Sequence, residues 1–222
     1  MDWTALAPER IDSAAAARLD TLARAYREIN ERVNLVSRKD IENIERRHIA
    51  PCAVAARFFA PALGARVMDV GTGGGLPGLP LAAIFPQAQF TLVDSIGKKI
   101  RAVEELARAA GLENVTALNA RAETVPGRFD FVTGRAVTAL PVFISWIKSK
   151  LKFDEGKNIP ENGLLYWKGG ELEPELAAGG LVPKNLYRLD ELLEDKDYFA
   201  GKYIAHFSAR DVAKSNFKFL EK

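Results

Sequence analysis

Two carboxylates and five glycines stand at spacings that chemistry can use. Asp69 precedes Gly71, Gly73, Gly74, Gly75 and Gly78 in the run VMDVGTGGGLPGLPLA, residues 67–82, and Asp94 closes the next apolar run, AQFTLVD. A strand that ends in glycines and runs into a helix sets bare backbone N–H groups at a helix N-terminus, where a nucleotide-like ligand can approach closely. Gly73, Gly75 and Gly78 satisfy G-x-G-x-x-G. Asp94 follows roughly 20 residues later, where a carboxylate can accept hydrogen bonds from a ribose.

Two features count against a dinucleotide. Asp69 beside the loop would repel a pyrophosphate, and Pro77 inside the match removes an N–H that a phosphate would use. A carboxylate there suits a ligand with positive charge, such as the sulfonium and ammonium groups of S-adenosylmethionine. The string D-V-G-T-G-G-G after one strand, with Asp94 ending the next, therefore reads as a class I S-adenosylmethionine-dependent methyltransferase, with an NAD-dependent oxidoreductase as the competing reading. Each residue also has a purely structural role open to it. Gly78 can admit close helix packing, Asp94 can cap the helix containing Lys98, and Asp69 needs a partner if it is buried.

The elements that must position these residues follow from periodicity. Asp12-Ser13 can cap a helix through Asn30, with Leu19, Leu22, Tyr26 and Ile29 on one stripe. NLVSRKD then leads to a second helix from about Ile41 to Phe59, bent near Pro51. From Ala65 onward, short β-rich runs alternate with helical segments, the signature of βαβ units. Strands are expected at ARVMDV, AQFTLVD, NVTALN, RFDFVTG and GLLYWKG, with two antiparallel ones near Leu181–Leu189 and Lys202–Ser208. Helices are expected at Gly78–Phe85, Lys98–Ala110, Leu140–Lys150 and Leu172–Ala177. The fold class is thus α/β, a Rossmann-like, seven-stranded, mostly parallel sheet over residues 63–222, with an N-terminal helical appendage over 1–62. KFDEGKNIPENG is polar and turn-rich and is expected to be a mobile connection.

Composition bounds the rest. The chain has 222 residues with 48% hydrophobic and 27% charged, values of an ordinary globular protein. No secretory leader pattern opens it and no run approaches the length of a membrane span, so a cytoplasmic location without membrane contact is expected. One cysteine and two histidines make a protein-bound metal improbable. Net charge is +2, but residues 95–152 carry ten Lys/Arg against five Asp/Glu, which leaves an anionic partner such as nucleic acid open.

Acceptor chemistry leaves traces of its own. Methylation of cytosine C5 needs a cysteine nucleophile, and Cys52 after Pro51 lies in the N-terminal helices, far from the later strands, so it reads as a small buried residue. Amino methylation of adenine brings an Asn/Asp-Pro-Pro-aromatic run after the fourth strand, where this chain has VTGRAV. Guanine N7 has a free lone pair and no proton to lose, so alignment and desolvation suffice.

NLVSRKDIENIERRHI, VMDVGTGGGLPGLPLAAIFPQAQFTLVDSIGKKIRAVEELARAAGLENV, RAE, FDFVTGRAV and LLYWKGG occur in this order between Asn34 and Gly170. Together they resemble the bacterial small-subunit ribosomal RNA methyltransferase G family, also called glucose-inhibited division protein B. The resemblance implies transfer of a methyl group from S-adenosylmethionine to N7 of one guanine in a hairpin of 16S ribosomal RNA, free or in the small ribosomal subunit; a monomer is expected. It also implies that Gly71 and Leu76 touch the methionine part of the cofactor, Asp94 its ribose, and Ala122 and Glu123 its adenine. Arg135 is implied at the reaction centre, near both cofactor and target base. On this reading Asp69 and Gly73 complete the cofactor site, and Lys168, Arg46 and Arg47 are candidates for RNA contact. His48 is either a further phosphate contact or a packed residue. A ribosome assembly factor that binds S-adenosylmethionine or a nucleotide without catalysis is the alternative. The chain departs from the family at Thr133-Gly134-Arg135, where members show SRA, and at Pro51-Cys52, where they show a DS-like pair.

Overall fold

The computed structural model describes residues 1–153, 156–177 and 179–217. Asp12 accepts a hydrogen bond from the Ala15 amide at 2.7 Å and so caps helix α1, Ser13–Asn30. Beyond α1 the Asn30 side chain accepts from the amides of Leu35 and Val36 at 2.8 and 3.0 Å and turns the chain. The single bent helix expected from Ile41 to Phe59 is instead a continuous helical stretch of changing pitch. It runs as a 3-10 turn at Ile41–Asn43, a π-helix at Ile44–Ile49, α2 at Ala50–Ala53 and a 3-10 turn at Val54–Arg57. Pro51 is the cause: it has no N–H to return to the preceding turn, and its ring would strike the carbonyl four residues back in a regular α-helix. The wider π turn ahead of it avoids that collision.

The alternating part follows the expectation. In chain order it comprises β1 Arg66–Val70, α3 Gly78–Ile84, β2 Gln89–Asp94, α4 Gly97–Ala109, β3 Val115–Asn119, β4 Phe131–Arg135 and α5 Leu140–Ile147. It continues through β5 Gly163–Gly169, α6 Glu173–Ala177, β6 Asn185–Arg188, α7 Leu189–Leu192, α8 Lys196–Phe199, β7 Lys202–Ser208 and α9 Ala209–Lys214. The seven strands form one sheet in the order β3-β2-β1-β4-β5-β7-β6. The first five are parallel, and β7 is antiparallel to both of its neighbours. The chain reverses its winding between β1 and β4, the switch point where open α/β sheets hold ligands.

Successive strand residues point to opposite faces. Val67, Phe90, Leu92, Phe131 and Leu165 join Leu19, Leu22, Tyr26, Ala53 and Leu106 in one core. Met68, Val70, Val132 and Leu164 join Phe143, Ile144 and Val212 in the other. The N-terminal helices are therefore the cover of one sheet face, continuous with its core across residue 62. The connection 152–163 is stitched to the segment before β1. Ala62 donates to Asn158 at 2.7 Å, Asn158 donates to Asn162 at 2.7 Å, and Ala60 bridges Ile159. Asp154 and Glu155 of that connection lie outside the described residues. Among the described residues no helix is long and apolar enough to cross a membrane.

Candidate active site

The carboxyl ends of β1, β2 and β4 open onto a cleft of about 310 Å³. Gly71, Asp94, Ala122 and Glu123 all line it, and Lys99, Ala136, Val137 and Trp146 join them. Asp94 is only 8% exposed. Its two oxygens accept from the amides of Gly73 and Ile96, both at 2.9 Å, so it pins the glycine loop and turns the chain into α4. Each carboxylate oxygen keeps a further lone pair, and ribose hydroxyls can add to these bonds without displacing them. Asp94 does not cap α4, whose N-cap Ile96 makes no side-chain bond; it holds the turn ahead of the helix, and that role is compatible with binding a ligand. Gly73 sits at φ +59°, with only the Gly71 carbonyl near the place a Cβ would take, at 3.9 Å, so its backbone is bare. Apolar Val93, Ala122 and Trp146 beside the Asp94 carboxylate offer a ring surface and a hydroxyl acceptor, a lining that fits S-adenosylmethionine.

Asp69 and Leu76 take places different from those expected. Leu76 is not on the cleft wall but packs behind the loop in the core shared with α1. Asp69 is 0% exposed. It accepts from the hydroxyls of Thr72 at 2.5 Å and Thr133 at 2.8 Å and from the Gly78 amide at 3.1 Å. Burial raises its pKa to about 6 in spite of these three donors. The carboxylate clamps the glycine loop to β4 and the start of α3 from beneath, so a direct charge contact with a ligand in the cleft is not its role in this arrangement.

Most of the glycine run serves packing. A Cβ on Gly74 would stand 3.0 Å from Cβ of Leu35, and one on Gly75, at φ +91°, would stand 2.4 Å from Cδ1 of Leu79. Tyr26 of α1 donates its hydroxyl to the Gly74 carbonyl at 2.6 Å. The N-terminal helices thus press on the loop from outside while Asp69 holds it from within.

A model of the family described as rRNA small subunit methyltransferase G matches residues 15–178. The chain belongs to this family. Curated relatives named ribosomal RNA small subunit methyltransferase G include one from Flavobacterium johnsoniae, 45% identical over 82% of this chain and 85% of its own length. Another, from Cytophaga hutchinsonii, is 41% identical over 92% of this chain and 95% of its own length. The fold is shared with the crystal structure of precorrin-6y C5,15-methyltransferase from Geobacter metallireducens, at a TM-score of 0.52, 11% identity, and coverage of 79% of this chain and 92% of that one. Membership of a methyltransferase family sets aside the NAD-dependent reading.

For a member of the methyltransferase G family, the placement of Arg135 is informative. Arg135 ends β4 but does not line the first cleft. Its guanidinium donates to the carbonyls of His48 at 2.9 Å and Arg47 at 3.2 Å, in the helical stretch around Pro51. It lines a second cleft of about 180 Å³ at the same sheet edge, together with Arg47 and Lys168. Ala136, the next residue, lines both clefts. At φ +52° it is the one non-glycine residue with positive φ among those described, a conformation costing roughly 1–2 kcal/mol.

The remaining expectations divide. Arg47 pairs with Asp195 at 3.3 Å and Asp40 at 3.5 Å, and Lys168 pairs with Glu175 at 2.6 Å, so both reach the second cleft as neutralised pairs. Arg46 is exposed and faces a different groove, shared with Glu42 and Glu194. His48 is packed against Asp40, and burial followed by the nearby Arg135 charge lowers its pKa. The Cys52 thiol is buried and pushed up to about 11, which removes it as a nucleophile. Thr133 does not replace the family's serine, because it points to the Asp69 face. Position 134 points to the other face, where any Cβ would stand 2.5 Å from Cζ of Phe143. Sequence reasoning missed Lys99, Trp146 and Ala136. Lys99 is in the first turn after Asp94 and could have been found by that position, whereas Trp146 is brought in only by tertiary packing.

Proposed function

We propose that this chain transfers a methyl group from S-adenosylmethionine to N7 of one guanine in a hairpin of 16S ribosomal RNA, acting in the cytoplasm as a monomer without membrane contact. The observation that carries the reading is Ala136 standing between a cleft suited to the cofactor and a basic cleft. S-adenosylmethionine supplies an electrophilic methyl on a positively charged sulfur. Guanine N7 offers its lone pair in the ring plane, so no side chain has to take a proton, and alignment with exclusion of water is what the protein must provide. That suits a site where Asp69 is enclosed and Cys52 is a buried thiol held in its neutral form.

On this reading Asp94 holds the ribose, Ala122 and Glu123 flank the adenine, and Gly71 and Gly73 face the methionine part, with Leu76 and Asp69 supporting the loop from behind. Arg135 orders the reaction centre by fixing the helical stretch over the end of β4, beside the point of transfer. Arg47 and Lys168 approach RNA phosphates, and Arg46 adds an outer contact. The test is incubation with tritiated S-adenosylmethionine and either naked 16S RNA or small subunits lacking the modification. Label is expected in at least one of the two, and label in neither overturns the reading.

A further inference from the structure

The second cleft holds more positive charge than its carboxylates balance. Arg47 and Lys168 have acidic partners, but among the described residues Arg135 and Lys202 have none. The Lys202 ammonium donates to the Tyr198 carbonyl at 2.5 Å and lies 3.3 Å from the centroid of the Tyr198 ring. The Arg47 guanidinium lies over the same ring at 4.2 Å. The wall beside them includes Trp167 and Phe199, both buried, so these like charges meet over an apolar surface that screens them less than open water does. Burial first, then Arg135 and Arg47, lower the pKa of Lys202. An anion seated there would relieve the repulsion.

Topology explains how Lys202 arrives. The parallel strands end at the active edge, and β7 is antiparallel, so its first residue, Lys202, stands opposite Gly169 at the end of β5. Tyr198 is on α8 just before it. Both lie beyond residues 15–178, the span matched by the family model.

We propose that Lys202, positioned with Arg47 by the Tyr198 ring, seats a backbone phosphodiester of the RNA strand that carries the target guanine. This rests on the function proposed above. Ala136 joins the two clefts, so an RNA phosphate in the second is a short step from the transfer point, and the anion is taken to be RNA rather than the cofactor's own carboxylate.

The test compares Lys202→Met, which keeps the stem over Tyr198, with Lys202→Arg, and Tyr198→Leu with Tyr198→Phe. Affinity for 16S RNA is measured across salt concentrations, with methyl transfer kinetics and S-adenosylhomocysteine binding by calorimetry on the same proteins. Lys202→Met is expected to weaken RNA binding and raise KM for RNA about tenfold with kcat little changed. The log–log salt slope should fall by roughly 0.7–0.9, while S-adenosylhomocysteine affinity stays as in the wild type and the thermal midpoint does not fall. Lys202→Arg and Tyr198→Phe should restore RNA binding, and Tyr198→Leu should behave like Lys202→Met. An unchanged salt slope and KM in Lys202→Met overturn the proposal, as does a comparable loss of S-adenosylhomocysteine affinity, which would assign the anion to the cofactor. A wild-type protein inert on ribosomal RNA would defeat the proposed function instead, and the binding arm would still read the subsite.

Discussion

Asp69 shows how far a single residue's role depends on its surroundings. Its carboxyl rises from the ordinary 3.8 to about 6, so between those values the folded chain holds a proton that the unfolded chain has released. The stability this group contributes therefore falls as pH rises from about 4 to about 6 and is level above that. Urea unfolding at a series of pH values should show this slope in the wild type and lose it in Asp69→Asn, whose amide oxygen still accepts from Thr72 and Gly78 while its nitrogen meets the Thr133 hydroxyl. Asp69→Ala strands a buried amide and two hydroxyls and is expected to cost about 2–3 kcal/mol by the same measurement. Asp94 responds differently, since Asp94→Ala should abolish S-adenosylhomocysteine binding in calorimetry and leave a folded protein. Asp94 was legible as a cleft residue because its position at the end of a strand is local information, whereas Ala122 and Glu123 were pointed to only by the family resemblance. The enclosure of Asp69 was not legible, because one of its donors, Thr133, is 64 residues away.

At the level of elements, the glycine loop and the helical stretch around Pro51 form one assembly. Gly75→Ala meets both a positive φ and the Leu79 side chain at 2.4 Å, whereas Gly73→Ala meets only the φ penalty in open space. Thermal unfolding should therefore show Gly75→Ala losing more than about 2 kcal/mol and Gly73→Ala about 1 kcal/mol, with cofactor affinity the property that Gly73→Ala damages most. Arg135 is the link from β4 to the helices, and Arg135→Lys, which cannot span both the Arg47 and His48 carbonyls, should lower stability by about 1–2 kcal/mol and slow methyl transfer together. The strand and helix succession from β1 to β5 was legible because its apolar periods are strong. The change of pitch between Ile44 and Ala53 was not, because apolar spacing does not tell a π turn from an α turn beside a proline.

For the whole molecule, the sequence boundary near residue 62 marks a change in pattern and not a break in packing. Trp3, Leu19, Leu22 and Tyr26 are buried in the same core as Val67, Phe131 and Leu165, and each contributes on the order of 1.5–3 kcal/mol by that burial. A chain starting at residue 63 would expose one sheet face and leave the loop without Tyr26 and Leu35. It is expected to lack a cooperative thermal transition, and a sharp melt by circular dichroism would contradict that. The same packing brings Arg47 beside Arg135 and Lys168 at the sheet edge, so the basic cleft exists only in the complete assembly. The central claim, a methyl group delivered to guanine N7 across Ala136, is tested most directly by mass mapping of small-subunit RNA before and after incubation with the protein and S-adenosylmethionine. One new N7-methylguanosine in a single hairpin of 16S RNA is the predicted result, and an unchanged map, or a methyl on any other atom, would contradict it.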